Sequence, residues 1–285
     1  MPSLPDMNTP QVAELARREA EAHPAHPAVP QPDEGQEALF ETLLRLGDST
    51  LILGHRVSEW CGHSPALEED IALANVALDL IGQTQLWLGL AGEVEGQGRS
   101  ADDLAYLRDA WDFRNVLLAE QPNGDWAHTV ARSFFMDTFN YFYFTALERS
   151  ADQTLAAIAG KSLKEVAYHM RWSSEWVIRL GDGTEESHRR MQAALEAFWP
   201  YTGELFLPSE AEAALEASGV VVPLNAIREQ WHQRIAPVLE EATLSPLPAD
   251  AWMHQGGKEG THSEHLGYVL AELQFMQRAY PNMEW

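Results

Sequence analysis

The sequence predicts an all-α fold, a ferritin-like four-helix bundle with additional C-terminal helices. Three observations lead to this prediction. Apolar residues recur at helical spacing over several segments of more than about twenty residues. Short polar or glycine-containing turns separate these segments. Signals for β-strands are nearly absent, and Gly219–Val222 is the one short candidate. Long helices with wide apolar faces bury those faces by packing together as a bundle.

The first three helices follow from periodicity and boundary residues. Leucines spaced by three, four or seven residues predict a helix over residues 36–58. The next apolar pattern predicts a helix over residues 67–93, which a glycine-rich stretch ends. Ser100 is a favourable N-cap and opens a shorter predicted helix over residues 100–119.

The remaining bundle helices are predicted over residues 125–149, 151–180 and 185–205. The sequence QPNG marks the turn before the first of them, and GDGT separates the last two. The segment Phe134–Phe144 holds more aromatic residues than one buried helix face can take. We therefore expect some of these rings to face a partner protein or a cavity.

The domain organisation follows from changes in composition along the chain. Residues 1–35 are rich in Pro, Ala and Glu and predict a mobile leader. Residues 36–285 are expected to form one helical domain, with a core bundle over about 36–206 and an extension over about 207–285. Proline recurs in that extension, which favours shorter helices, and the last helix is expected at about 265–280.

Charge and cysteine content exclude several classes of function. The chain has 19 Lys and Arg against 43 Asp and Glu, and its net charge is −24. Such a charge repels nucleic acids and anionic membrane surfaces, so neither is expected as a partner. The single cysteine, Cys61, excludes an internal disulfide and cysteine-rich metal sites. No secretory signal or membrane-spanning run is apparent, which predicts a cytoplasmic protein.

A bundle of long helices raises the question of a di-iron carboxylate site, which uses Glu-x-x-His pairs. An acidic residue precedes a histidine by three positions four times, while chance gives about 1.7 cases, so the motif carries no signal. His55, Glu59 and His63 are interpreted as a capping or interface cluster. His254, His262 and His265 form a second cluster, for which metal binding is a minor alternative.

Several long, ungapped motifs nevertheless have a familiar pattern. They lie at Leu46–Asp48, Glu59–Pro65, Leu73–Gln83, Glu120–Arg132, Lys164–Arg171, Leu180–Thr184 and Gly256–Gly267. Through these motifs the chain resembles the PaaC family, the C-type subunits of the bacterial phenylacetyl-CoA epoxidases. These enzymes are multicomponent monooxygenases of phenylacetate catabolism. The resemblance runs from about residue 36 to the C-terminus.

The resemblance implies a ferritin-like fold and a non-catalytic, structural role. It implies that this chain holds no cofactor and that a di-iron centre lies in the catalytic A-type subunit, which epoxidises the aromatic ring. The implied partners are that catalytic subunit, the other subunits of the complex and its reductase. The CoA thioester substrate would bind mainly through the catalytic subunit. Whether the isolated chain forms a homodimer stays open.

The residues at the implied metal positions support the non-catalytic role. On the second helix, the resemblance places Leu80 where the catalytic paralogue has a bridging glutamate, and Gln83 where it has a histidine. On the fourth helix, Val166 takes the other bridging position and His169 is kept. These positions predict a degenerate site, since iron needs several anionic oxygen ligands.

Two further positions complete the implied site. Asp137 matches an acidic position on the third helix, and Leu53 is the apolar counterpart on the first. We expect Asp137 and His169 to form a buried pair, because buried charges need partners. On that expectation, Asp137→Asn would reduce stability.

A scaffold protein of this kind could also border the substrate channel. The candidates for contact with a partner or with CoA are Arg108, Arg114, Arg132, Lys258, His262 and His265. Two other functional classes remain as alternatives. One is an independent ferritin-like di-metal oxidase or metal-binding protein, which needs carboxylates at the positions of Leu80 and Val166. The other is a helical adaptor unrelated to oxygen chemistry.

Overall fold

A computed structural model describes residues 34–281 and 283 of the chain. Residues 1–33 of the predicted leader lie outside the described residues. Its last two positions, 34 and 35, belong to the first helix. The described residues form eleven α-helices and four short 3₁₀ turns, and they contain no β-strand. The all-α prediction is therefore confirmed for this part of the chain.

Two helical hairpins form the bundle. Helix α1 (Glu34–Ser58) packs along α2 (Leu67–Glu95). Helices α5 (Trp126–Leu147) and α6 (Gln153–Gly181) form the second hairpin, and α6 also packs on α2. All four helices contribute to one hydrophobic core. The predicted four-helix bundle is present, and α7 (Glu185–Phe198) packs against α5 and α6.

Side-chain caps fix where α5, α6 and α7 start. The Asp125 carboxylate accepts the backbone N–H of His128 at 3.1 Å and opens α5. Asp152 opens α6 in the same way, and Thr184 opens α7 with a capping box. These caps satisfy N–H groups that have no partner within the helix. The four long helices consequently agree with the predicted boundaries to within two residues.

The prediction of one helix over residues 100–119 is wrong. The segment contains α3 (Ala101–Tyr106), a 3₁₀ turn and α4 (Leu117–Glu120). Its backbone amides bind distant carboxylates instead of carbonyls one turn earlier. The N–H of Arg114 donates to Asp48 Oδ2 at 2.8 Å, and the N–H of Leu117 donates to Glu204 Oε2 at 2.6 Å.

Three further boundaries differ from the prediction. The helix predicted to reach residue 205 ends at Phe198, and two 3₁₀ turns follow around Pro200, which has no N–H to donate. Gly219–Val222 is a turn and not a strand. The last predicted helix is divided into α10 (Glu264–Leu273) and α11 (Phe275–Ala279).

The aromatic segment of α5 lies mostly in the core. The buried members are Phe134, Phe135, Phe139, Tyr143 and Phe144. Tyr141 and Phe142 are half-buried. Helix α9 (Leu224–Glu241) covers α5, where Trp231 Nε1 donates to the Phe135 carbonyl at 3.0 Å. The part of this segment that can face a partner is therefore smaller than the sequence predicts.

Length and composition alone would allow α2 to cross a membrane. An eighteen-residue window of this helix has a mean hydropathy of 1.2, and 44% of the window is buried. Among the described residues it is the one helix with this property. Core helices of soluble proteins meet the same criterion, so it does not by itself indicate a membrane span.

Buried carboxylates hold the C-terminal extension against the bundle. On α8 (Glu210–Glu216), Glu212 lies 2.6 Å from Arg45 Nη1 of α1 and 3.2 Å from Lys258 Nζ. All three side chains are at most 5% exposed. Glu204 accepts the N–H groups of Gly256 and Gly257 at 2.8 and 2.7 Å. The glycine-rich loop is thus fixed by charge inside the protein.

Close packing also explains one of the loop's glycines. A Cβ atom on Gly257 would lie 2.4 Å from the carbonyl oxygen of Asn115 and 3.0 Å from the backbone nitrogen of Leu117. Both neighbours are backbone atoms, so no rotamer change can relieve the overlap. The loop therefore approaches the α3–α4 segment at a distance that only glycine permits.

The buried triad of Arg45, Glu212 and Lys258 gives the first testable prediction. We expect Glu212→Gln to reduce the free energy of unfolding by about 3–5 kcal/mol at pH 7, because it leaves two buried cations without their anion. Those neighbours lower the pKa of Glu212 despite its burial. The stabilisation should therefore decline as the pH falls through that lowered pKa.

Urea denaturation at pH 7 and at a pH below 4.5, the ordinary pKa of a glutamate, measures this effect. The control is Glu210→Gln, which changes an exposed residue of the same helix and should have almost no effect. Equal effects of the two variants at pH 7 would contradict the structural role of the triad.

Candidate functional site

The centre of the four-helix bundle is the candidate site. The six positions singled out from the sequence are all at most 3% exposed: Leu53, Leu80, Gln83, Asp137, Val166 and His169. Close packing links the first two helices, since a Cβ on Gly54 would lie 3.2 Å from Leu80 Cβ. Apolar side chains fill three of the six positions, and polar ones occupy the other three.

The amide of Gln83 is engaged by a neighbouring helix. Its Nε2 donates to Glu165 Oε2 of α6 at 2.9 Å. Its Oε1 is buried and has no hydrogen-bond partner among the described residues. Gln83 thus connects α2 to α6 by a hydrogen bond, at the position where the resemblance implies a metal-binding histidine.

His169 makes a parallel contact one turn further along α6. Its Nε2 lies 3.0 Å from Asp79 Oδ2 of α2. The hydrogen-bond partner of His169 is therefore Asp79, whereas the expected pair with Asp137 is limited to an interaction between charges. Asp79 has 34% of its side chain exposed, whereas the His169 ring is buried and its Nδ1 has no partner among the described residues.

Sequence reasoning missed Asp79 and Glu165 as partners, although a signal was present. Asp79 and Gln83 are four residues apart on α2, and Glu165 and His169 are four apart on α6. Residues at this spacing share one helix face. The observed pairs are Asp79 with His169 and Gln83 with Glu165. The earlier residue of α2 thus pairs with the later residue of α6, as expected for two antiparallel helices.

Asp137 is the carboxylate left at the centre without an ion pair. Burial raises its pKa to about 6, and the charge of His169 and a hydrogen bond from the Ser173 hydroxyl oppose that rise only in part. Near neutral pH the charged form of Asp137 therefore reduces the stability of the folded state. A salt bridge to a cation would offset this cost.

These residues do not fit a di-iron group. Such a centre takes a glutamate from each of two helices and a Glu-x-x-His pair from each of the other two. Leu80 and Val166 occupy the positions where the resemblance implies bridging glutamates, and Gln83 and His169 are held by hydrogen bonds to carboxylates. Within the described part of the chain, no three His, Cys, Asp or Glu side chains are grouped closely enough to hold a metal.

The two histidine clusters have ordinary structural contacts. Glu59 accepts from Arg56 at 2.9 Å, and His63 Nδ1 lies 3.1 Å from the Cys61 carbonyl. Burial lowers the pKa of His55. His254 stacks on Tyr201 with ring centroids 4.2 Å apart. These contacts therefore favour a role in capping and packing for both clusters over metal binding.

Three of the predicted contact residues do not face solvent. The Arg108 guanidinium is buried against the Asp48 carboxylate. The fully buried Arg132 donates to the Gln121 carbonyl and to Asn123, and burial beside another arginine lowers its pKa to about 9. Lys258 pairs with Glu212, and burial lowers its pKa to about 8. The structure does not support partner or CoA contacts for these three cations, because internal groups bind them.

Of the other three predicted contact residues, only two lie nearer the surface. Arg114 has 22% of its side chain exposed and pairs with Glu41 at 2.7 Å. His262 is held by Glu120 and by the Phe113 carbonyl, both at 2.9 Å, and these acceptors raise its pKa although burial opposes them. His265 is partly exposed in the first turn of α10. Only Arg114 and His265 keep a part that an external molecule can reach.

The fold and the site together define a ferritin-like helical bundle whose centre holds apolar and hydrogen-bonded side chains. Comparison with known proteins agrees with this class. The chain belongs to the phenylacetic acid catabolic protein family, which it matches over residues 7–285. It is 46% identical over 242 residues to the C-type subunit of 1,2-phenylacetyl-CoA epoxidase from Escherichia coli strain K12. That match covers 85% of this chain and 97% of the relative.

The raised pKa of Asp137 gives the second prediction. An aspartate with an unfolded pKa of about 3.9 and a folded pKa of about 6 binds protons more tightly in the folded state. Its contribution to stability is complete below pH 4 and is lost as the pH rises to 6 and above. We therefore expect Asp137→Asn to gain on the order of 2–3 kcal/mol over the wild type at pH 8, and little at pH 4.

This expectation reverses the sequence-based one, which assumed a stabilising pair with His169. Denaturant unfolding of both proteins between pH 4 and pH 8 measures it. Asp102→Asn changes an exposed aspartate and is the control, which should leave the pH dependence unchanged. If Asp137→Asn instead loses more stability at pH 8 than at pH 4, this prediction is wrong and the hypothesis of a stabilising ion pair with His169 is supported.

Proposed function

We propose that this chain is a non-catalytic, structural subunit of a phenylacetyl-CoA epoxidase complex, which stabilises the di-iron catalytic subunit by pairing with it. One observation carries the proposal: the bundle centre has Leu80 and Val166 where a di-iron site needs bridging carboxylates. The relative that is named as a subunit of 1,2-phenylacetyl-CoA epoxidase supports the assignment to this complex.

In this proposal the partner subunit supplies the chemistry and this chain supplies a rigid surface. The iron centre, dioxygen activation and the main substrate contacts belong to the catalytic subunit. The present chain keeps its helices in register by side-chain hydrogen bonds between α2 and α6. Its shape should consequently not depend on bound metal.

The competing function is an independent di-metal oxidase or metal store. That function needs several carboxylates around one cavity, because iron prefers anionic oxygen ligands. Asp137 is the one carboxylate among the six central positions, and its raised pKa reflects a site that disfavours charge. The chemistry of the centre therefore favours the structural role.

Iron content gives the third prediction. After anaerobic incubation with ferrous iron and removal of free metal, the purified chain should retain less than about a tenth of an equivalent of iron. Its melting temperature should be the same with ferrous iron and with a chelator, since no folding energy comes from a metal. The catalytic subunit, loaded in parallel, is the positive control. Retention of close to two equivalents would place this chain among the di-metal proteins.

Assembly with the catalytic subunit gives the fourth prediction. Co-expression with this chain should increase the yield of soluble, iron-containing catalytic subunit, and turnover of phenylacetyl-CoA should require the assembled pair. The Asp137→Asn variant should support the same turnover per assembled complex as the wild type, because no reacting group lies at that residue. If turnover falls while assembly is intact, the bundle centre takes part in the chemistry and the proposal fails.

A further inference from the structure

The outward face of α2 carries three exposed aliphatic side chains although it does not contact the protein core. Exposed residues recur there every three or four positions: Leu67, Ile71, Asn75, Leu78, Gly82 and Gln85. Leu67, Ile71 and Leu78 expose 70%, 54% and 69% of their surface. The row is about 27 Å long at 1.5 Å per residue and contains no charged side chain. A solvated helix face normally carries charge, so this row is unusual in a chain with a net charge of −24.

The row also leaves room for close approach. A Cβ built on Gly82 would have no atom within 4 Å, so the surface is open at the middle of the helix. The bulky residues Leu67, Ile71 and Leu78 precede this opening, and Gln85 follows it. Small residues on a helix surface allow the backbone of a second helix to approach. The row therefore has the shape of a surface on which a helix packs. Within the described residues, no helix covers it.

A row of cations lies on the neighbouring helix. Lys161, Lys164, Tyr168 and Arg171 are exposed and share one face of α6. The contacts of Gln83 with Glu165 and of Asp79 with His169 hold α2 and α6 side by side, so the two rows adjoin. We call them together the α2–α6 face.

These cations are unusual because they lack anionic partners. Within residues 34–281, the exposed Lys and Arg side chains without an ion pair are Lys161, Lys164, Arg171, Arg149 and Arg228. Three of the five lie on the α2–α6 face, although acidic residues outnumber basic ones more than twofold. Arg171 instead lies 5.6 Å from the centre of the Tyr168 ring. Anions supplied from outside the chain would complete this row.

We propose that the α2–α6 face is where the catalytic subunit of the epoxidase complex docks, through an uncharged helix that is bordered by carboxylates. The inference rests on the proposed function and specifies the surface that performs it. An apolar centre with Tyr and Arg at its border is the composition of protein interfaces. The unpaired cations favour a partner whose contact surface is bordered by carboxylates.

Charge argues against the other occupants. A second copy of this chain would bring another 24 negative charges, and long-range repulsion opposes that encounter. The same net charge opposes anionic lipid surfaces, although a few cations face outward here. The proposal therefore requires a catalytic subunit that offers carboxylates locally without a matching overall excess of negative charge.

The test uses the full chain together with its catalytic partner from the same complex, and the dissociation constant is measured by biolayer interferometry. Leu78→Asp and Ile71→Asp should each raise the dissociation constant at least about 30-fold, because each places a charge in the apolar centre. The triple variant Lys161→Glu, Lys164→Glu, Arg171→Glu should slow association about tenfold at low salt and reduce its salt dependence.

Matched controls alter residues of the same kind elsewhere. Tyr268→Asp changes an apolar residue that is 63% exposed on α10, and Arg149→Glu with Arg228→Glu reverses two unpaired cations off the face. Both controls should change the dissociation constant less than about threefold. Circular dichroism and melting temperature establish whether each variant is folded. We expect all of them to fold, because the substituted residues are exposed.

The outcomes separate this inference from the proposed function. If the catalytic partner binds Leu78→Asp as tightly as the wild type, the α2–α6 face is not the docking surface, while the proposed function stands. If the wild type does not bind at all, the proposed function fails as well. A homodimer of the isolated chain that Leu78→Asp dissociates would overturn the inference in favour of a second copy. Co-sedimentation with phosphatidylglycerol vesicles that Leu78→Asp abolishes would overturn it in favour of a membrane surface.

Discussion

The buried contact of Glu212 with Arg45 and Lys258 is the constraint on which the rest of the structure depends. It joins the first bundle helix, the α8 helix and the glycine-rich loop, which lie far apart along the sequence. Charges that have been removed from water are stable only when each has its partner. The C-terminal extension therefore belongs to the same folding unit as the bundle. The glycine-rich motif, which the sequence marks as a candidate for chemistry, is explained by packing and charge inside this unit.

The four long helices could be predicted from the sequence because their signals are local. Apolar spacing and capping residues such as Asp125 and Thr184 act within one or two turns. The connection over residues 107–116 could not be predicted, because its course is set by Asp48, which is distant in sequence. The same holds for the cations. Arg108 and Lys258 read as surface residues in an acidic chain, and only the fold shows that each is buried beside a carboxylate.

At the candidate site, burial of all six positions was predictable, whereas the partners of Gln83 and His169 were not. Their hydrogen bonds depend on the register between two helices whose sequences lie more than eighty residues apart. In a di-iron protein, metal coordination ties the facing helices together. Here two side-chain hydrogen bonds connect α2 and α6, and Leu80 and Val166 fill the space between with apolar atoms. The bundle thus keeps its geometry without the donors that would bind iron.

A bundle that is closed by hydrogen bonds can fold as soon as it has been synthesised. Proteins whose fold is completed by a metal remain incomplete until that metal arrives. The contacts of Asp79 with His169 and of Gln83 with Glu165 need only the polypeptide itself. On the proposed function, the supply of this chain would therefore be uncoupled from the iron status of the cell. In the proposed complex, a folded scaffold would already be present during iron starvation, and recovery would require only the metallation of its partner.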